Sequence, residues 1–331
     1  MTGLPDHSPS PLIAAQDLRM TYRVGRGQVL RALDGVSLSV RPGEVLGLVG
    51  ESGCGKSTLG RCLLRLVQPS AGRVVFDGTD ITTLPERRLR PLRQDMQMVF
   101  QDSYAALNPR RRIGDLVAEP LRVHPAPGGG RRSRADIAAR LAELMDLVGL
   151  PQQALARYPH EFSGGQRQRI NIARALALSP RLVVADEPVA ALDVSIQAQI
   201  VNLFMDLRDQ LGLTYIFVAH DLAVVRQIST RVAVMYLGAI VELGEADAVL
   251  HRPAHPYTAA LIAAVPEPVV RTGDLPPPLR GDVPSPIAPP PGCRFHTRCP
   301  VVRDRCRVDP PALRTLPDGR EAACHYPLVG E

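Results

Sequence analysis

No stretch restricts the fold of this chain more than Gly50-Glu51-Ser52-Gly53-Cys54-Gly55-Lys56-Ser57-Thr58, which fits G-x-x-x-x-G-K-[ST]. The apolar residues 45–49 before it read as a buried strand, and a helical pattern begins near Lys56. A strand, a glycine turn and a helix in that order point backbone N–H groups and the positive end of a helix dipole at one place. Such a loop cradles phosphate, with Lys56 bridging β- and γ-phosphates and Ser57 holding Mg²⁺. The expectation is an α/β protein organised around a nucleotide.

With 331 residues there is room for one large α/β domain and a smaller appendage. The formal charge of +6, from 39 basic and 33 acidic residues, is too modest to imply nucleic acid by itself. Residues 1–15 lack the basic start and apolar block of a secretory signal, and no apolar run approaches the roughly 18 residues of a membrane span. A soluble, cytoplasmic chain is therefore expected. Cys54 and Cys62 lie in or beside the phosphate loop, whereas Cys293, Cys299, Cys306 and Cys324 cluster near the end, a pattern that in a reducing cytosol suggests metal rather than disulfides.

Residues 12–23, 31–40 and 44–49 alternate or run apolar in short pieces, suggesting a small, mostly antiparallel sheet that feeds the phosphate-loop strand; residues 73–77 add another strand. Tyr22, 28 residues before Gly50, is placed either to stack on adenine or to sit half-buried in that sheet. Arg110-Arg111-Arg112 reads as a solvated face, with an acidic partner or lipid headgroups as the alternative. After the glycine run 128–130, Ser133 is placed to cap a helix whose apolar face comprises Ile137, Leu141, Leu144, Met145 and Val148. Residues 102–178 thus form a helical insert.

Residues 181–187 are a second buried strand ending in two carboxylates, an ending that stability alone does not ask for. Beside a phosphate loop, Asp186 suits a Mg²⁺-bound water and Glu187 suits polarising an attacking water. Residues 213–219 make a third core strand, and His220 at its end is either ligand-facing or structural. From residue 251 the composition changes: 17 of the 32 prolines lie there, so the segment should be looped, with little core of its own. The cysteine spacing C-x5-C-x6-C-x17-C offers one way to order it, through four thiolates around a metal centre.

Between the two phosphate-site strands lies Phe162-Ser163-Gly164-Gly165-Gln166-Arg167-Gln168-Arg169, which resembles the signature motif of ATP-binding-cassette ATPases, with Phe162 where leucine is commonest. A hydroxyl and bare N–H groups at a helix N-terminus make a second phosphate site. The resemblance covers nearly the whole chain. It implies a P-loop ABC ATPase domain over residues 1–250, with an antiparallel β subdomain and the helical insert, followed by a Pro/Cys-rich C-terminal domain over 251–331. In that family two such domains face head to tail, so Ser163, Gly164, Gly165 and Gln166 close over ATP held by a partner. Gln101 matches the glutamine loop that senses Mg²⁺ and water, Asp193 faces across the dimer, His220 is the γ-phosphate switch, and Tyr22 is the adenine-stacking aromatic. The resemblance thus implies Mg²⁺ at Ser57, Gln101 and Asp186, and a hydrolytic role for Glu187.

Within the superfamily, residues 104–110, 158–162, 255–258 and 292–300 are similar to dipeptide/oligopeptide importer ATPases. The resemblance implies a heterodimer with a paralogous ATPase chain on the cytoplasmic face of the membrane, two transmembrane permeases and an extracytoplasmic binding protein. Nickel, opines, glutathione and sugars are cargoes of close relatives. Spacing leaves iron–sulfur and zinc open at Cys293, Cys299, Cys306 and Cys324; the resemblance points to a [4Fe–4S] cluster over zinc or unligated thiols. Two other classes are a soluble cassette ATPase acting on DNA or ribosomes and a scaffold subunit with little turnover. The single cassette without an aromatic-and-basic stacking array argues against the first, and intact Glu187 and His220 argue against the second.

Overall fold

The computed structural model describes residues 10–25, 27–126, 128–264 and 281–329. The strands are β1 (Ile13–Val24), β2 (Gln28–Val40), β3 (Val45–Val49), β4 (Ala71–Phe76), β5 (Thr79–Asp80), β6 (Met96–Val99), β7 (Leu182–Asp186), β8 (Thr214–Val218), β9 (Arg231–Tyr236), β10 (Ala239–Glu245), β11 (Arg314–Thr315) and β12 (Glu321–Ala322). The helices are α1 (Lys56–Leu63), α2 (Glu86–Leu92), α3 (Ile113–Val123), α4 (Arg134–Leu147), α5 (Gly164–Leu176), α6 (Val194–Leu211), α7 (Leu222–Ile228), α8 (Ala246–His251), α9 (Pro256–Ala263) and α10 (Asp304–Val308).

Two sheets result. The smaller has the order β2-β1-β4-β5 and its neighbours pair antiparallel. The larger runs β11-β12-β10-β9-β3-β8-β7-β6, with β9, β3, β8, β7 and β6 parallel. Every residue of β3, β7 and β8 is buried, because these strands are covered on both faces. The period of two divides them between cores. Val45, Val49, Val183, Ala185, Tyr215 and Phe217 pack with α3, α5, α6 and α7, while Leu46, Leu48, Leu182, Val184, Ile216 and Val218 pack with α1 and the antiparallel sheet.

Of the first three expected strands, two pair with each other and the third, β3, sits at the centre of the larger sheet. The α4 expectation is met at the cap, whereas Ile137 and Leu141 of its apolar face are half-buried. Ser133 accepts from the Asp136 N–H at 3.1 Å, Asp136 accepts from the Ser133 N–H at 3.1 Å, and Leu144, Met145 and Val148 are fully buried.

In the described residues 251–264 and 281–329 the C-terminal segment is mostly loop, ordered by pairing and packing. β12 extends the larger sheet through Glu242–Ala322 and Leu243–Glu321 pairs with β10. Arg320, 2 % exposed, reaches Glu242 and the carbonyl of Ala248, and Phe295 stacks edge-on against Tyr236 with centroids 5.4 Å apart. The expected iron–sulfur centre is overturned here. Cys293, Cys299, Cys306 and Cys324 line one small cavity, yet among the described residues no group of three or more His, Cys, Asp or Glu side chains is arranged to hold a metal ion. Burial pushes the thiols of Cys293 and Cys299 up, and that of Cys324 up to about 11.

Candidate functional site: a nucleotide cleft

The loop between β3 and α1 is pressed between the two sheets, which explains its glycines. Gly50 has φ 149° and a Cβ there would strike the carbonyl of Met235 on β9; Gly55 has φ 109° and a Cβ would strike the carbonyl of Ala32 on β2. Both positions therefore exclude side chains on two independent grounds. Gly55 also begins α1 without a capping side chain, so the first-turn N–H groups stay available to an anion. Lys56 is 4 % exposed and its ammonium donates to the carbonyl oxygens of Gly50 at 2.8 Å and Glu51 at 3.1 Å.

Ser57 Oγ donates to Asp186 Oδ1 at 2.7 Å, joining the phosphate-loop helix to the end of β7. Asp186 is 2 % exposed; burial pushes its carboxyl up, opposed by the Ser57 hydrogen bond. A hydroxyl beside a desolvated carboxylate is an oxygen donor set that fits Mg²⁺, and a cation there would relieve the desolvation.

Glu187 follows immediately yet points elsewhere, because its backbone is left-handed at φ 46°. Its N–H donates to the carbonyl of Val218 at 3.0 Å, which offsets a conformation costing on the order of 1–3 kcal/mol. Its Oε2 accepts from Gln101 Nε2 at 2.7 Å and lies 3.9 Å from His220 Nδ1. Three groups from beyond the carboxyl ends of β6, β7 and β8 thus meet, where open parallel sheets bind ligands. Tyr22, Leu30, Lys56, Ser57, Gln101 and Glu187 share a cavity of about 280 Å³, with Ser52, Gly53, Gly55 and Thr58 also on its wall.

Ser163, Gly164, Gly165, Gln166 and Asp193 lie outside that cavity. Ser163 caps α5, accepting from the Gln166 N–H at 3.3 Å while Gln166 Oε1 accepts from the Ser163 N–H at 3.0 Å. Gly165 lets α5 approach α6: a Cβ would lie 2.5 Å from Ile196 Cγ2. Asp193 is exposed at the start of α6, next to Val194, which is 82 % exposed.

Two residues against the phosphate loop had no signal in the sequence. Arg298 and Tyr257 come from 247 and 206 positions away and both engage Glu51. Pairing over such separations leaves no local pattern. The nearest hint was that 255–258 and 292–300 carried the resemblance to peptide-importer ATPases.

A phosphate loop opening onto three parallel strand ends, with a second glycine-led helix turned outward, defines a P-loop cassette ATPase. A family model described as ABC transporter matches residues 33–190, and one described as oligopeptide/dipeptide transporter, C-terminal region, matches residues 241–306. A Sinorhizobium fredii protein named as a peptide ABC transporter ATP-binding protein is 54% identical over 320 residues, covering 95% of this chain and 89% of its own. A Bacillus subtilis protein, YkfD, named as an oligopeptide transport ATP-binding protein, is 47% identical over 323 residues, covering 95% of each. Among solved structures, the dimeric post-hydrolysis state of the ATP-binding cassette MJ0796 with ADP and Pi superposes with TM-score 0.64 at 30% identity, over 71% of this chain and 98% of that one. The chain belongs to the ATP-binding subunits of ABC transporters, and it is an ATP-hydrolysing enzyme of that family.

Proposed function

We propose that this chain hydrolyses ATP to drive uptake of di- or oligopeptides, as one of two related ATPase subunits on the cytoplasmic face of two membrane permeases fed by an extracytoplasmic binding protein. The cargo follows the names of the similar proteins and the match of residues 241–306. Residues 1–250 serve as the ATPase unit and 251–331 as an extension of it. No helix among the described residues is long and apolar enough to cross a membrane.

One observation carries the hydrolytic reading: Gln101 and Glu187 share a cleft with Lys56 and Ser57, while His220 lies 3.9 Å from Glu187 and Ser57 bonds Asp186 at 2.7 Å. Lys56 exchanges its two carbonyl partners for phosphate oxygens, and Tyr22 stacks on the adenine. Ser57, Gln101 and Asp186 would hold Mg²⁺, which would supply neutralising charge at the phosphates. Glu187 orients the attacking water and accepts its proton, with Gln101 holding the carboxylate and His220 contacting the γ-phosphate. Ser163, Gly164, Gly165 and Gln166 of each subunit close on the nucleotide of the other, and Asp193 lines the same junction. The test is reconstitution of the complete transporter in vesicles with a labelled peptide. ATP-dependent uptake is expected, and Lys56→Ala should abolish it; uptake independent of ATP, or untouched by that substitution, would overturn the proposal.

A further inference from the structure

Glu51 is gripped at three places. Its carboxylate takes two parallel bonds from Arg298, 2.7 and 3.0 Å, its N–H donates to the Tyr257 hydroxyl at 2.9 Å, and its carbonyl accepts from Lys56 at 3.1 Å. The first two partners come from the C-terminal extension, and they are firmly seated. The Arg298 side chain is 6 % exposed and lies 6.0 Å from the Tyr236 ring centroid. Tyr257 is fully buried, with Tyr236 and Phe295 stacked against it at 4.6 and 5.3 Å. The segment carrying Arg298 is itself tied down, since Arg294 reaches Asp34 at 2.6 Å and the carbonyl of Leu237. A bidentate guanidinium–carboxylate pair fixes orientation as well as position.

We infer that Arg298 and Tyr257 are positioning residues for ATP binding: through Glu51 they hold the phosphate loop in its nucleotide-accepting shape. The inference rests on the ATPase reading above and gives the extension a role at the nucleotide site. A loop held ready for phosphate improves binding of substrate and transition state alike, so its loss raises KM with kcat little changed. A general loss of folding would instead lower kcat through the active fraction and leave KM alone.

The experiment measures KM for ATP and kcat in the complete transporter. Arg298→Ala should raise KM about tenfold, the scale of losing a charge-assisted pair, with Arg298→Lys between it and wild type. In a Glu51→Gln background, Arg298→Ala should add almost nothing, because its effect runs through that carboxylate. Tyr257→Phe keeps the ring packing, removes only the acceptor, and covers the case in which Arg298→Ala does not assemble; it should raise KM roughly threefold. Unchanged KM in both variants, a fall in kcat at constant KM, or additive effects with Glu51→Gln would each overturn the inference. Wild-type protein without ATP turnover would instead sink the function itself.

Discussion

Asp186 and Glu187 are adjacent carboxylates placed in different environments by one backbone torsion. Asp186 stays on the strand, buried and answered by Ser57 at 2.7 Å, with the Arg61 guanidinium 4.0 Å away. Glu187 turns left-handed and comes out beside Gln101 and His220. Two acids at the end of an apolar strand were visible in the sequence, and so was their unsuitability for simple stability. The turn that separates them was not, because it depends on Val218 of a neighbouring strand accepting the Glu187 N–H. Ser57→Ala removes the hydroxyl that donates to Asp186 Oδ1 and one oxygen of the proposed Mg²⁺ set. Calorimetric titration with ATP should then show the gain from added Mg²⁺ cut by about tenfold or more, while Mg²⁺-free ATP binding changes little.

At the scale of elements, the phosphate loop and α4 were legible because glycine spacing and a capping serine act locally. β9, β10 and the strands added by the extension were not, since β11 and β12 are two residues each and earn their place only by pairing with something already folded. The start of α9 shows the same dependence. His255 caps it, with Nδ1 accepting from the Tyr257 N–H at 3.0 Å, and burial pushes its pKa down to about 3. An unfolded histidine binds a proton near pH 6.5, but the folded one does not until about pH 3. Stability from this group is therefore complete above the unfolded value and declines as pH falls through that window, by up to about 1.4 kcal/mol per pH unit. Glu242, whose carboxyl is pushed up by burial, gives a slope of opposite sign. His255→Asn retains a capping acceptor and removes the titration, so its melting temperature should fall less steeply than wild type between pH 6 and 4; parallel curves would contradict the assignment.

Across the whole molecule, the extension joins the sheet that carries the nucleotide loop. The cysteines looked like its organiser because four of them cluster in a proline-rich stretch. Arg320, Arg298 and an aromatic stack do that work instead, and scattered single residues of ordinary type announce nothing in a sequence. Arg320 donates to Asp318 at 2.9 Å and to the carbonyls of Ala248 at 2.8 Å and Arg252, beside a Glu242 that is wholly buried. Truncation to alanine leaves that carboxylate without its cation, a loss of about 3–5 kcal/mol by comparison with other broken buried pairs. Chemical denaturation of Arg320→Ala should show an unfolding free energy lowered by that order, and a change near zero would mean that the extension is held some other way.

On the proposed function, ATP bound at residues 50–58 is hydrolysed by water oriented on Glu187. The most direct test compares Glu187→Gln with wild type in the purified transporter, measuring bound ATP and steady-state turnover together. The variant should retain ATP in a closed two-subunit complex while turnover falls by about a hundredfold or more; unchanged turnover would contradict the account.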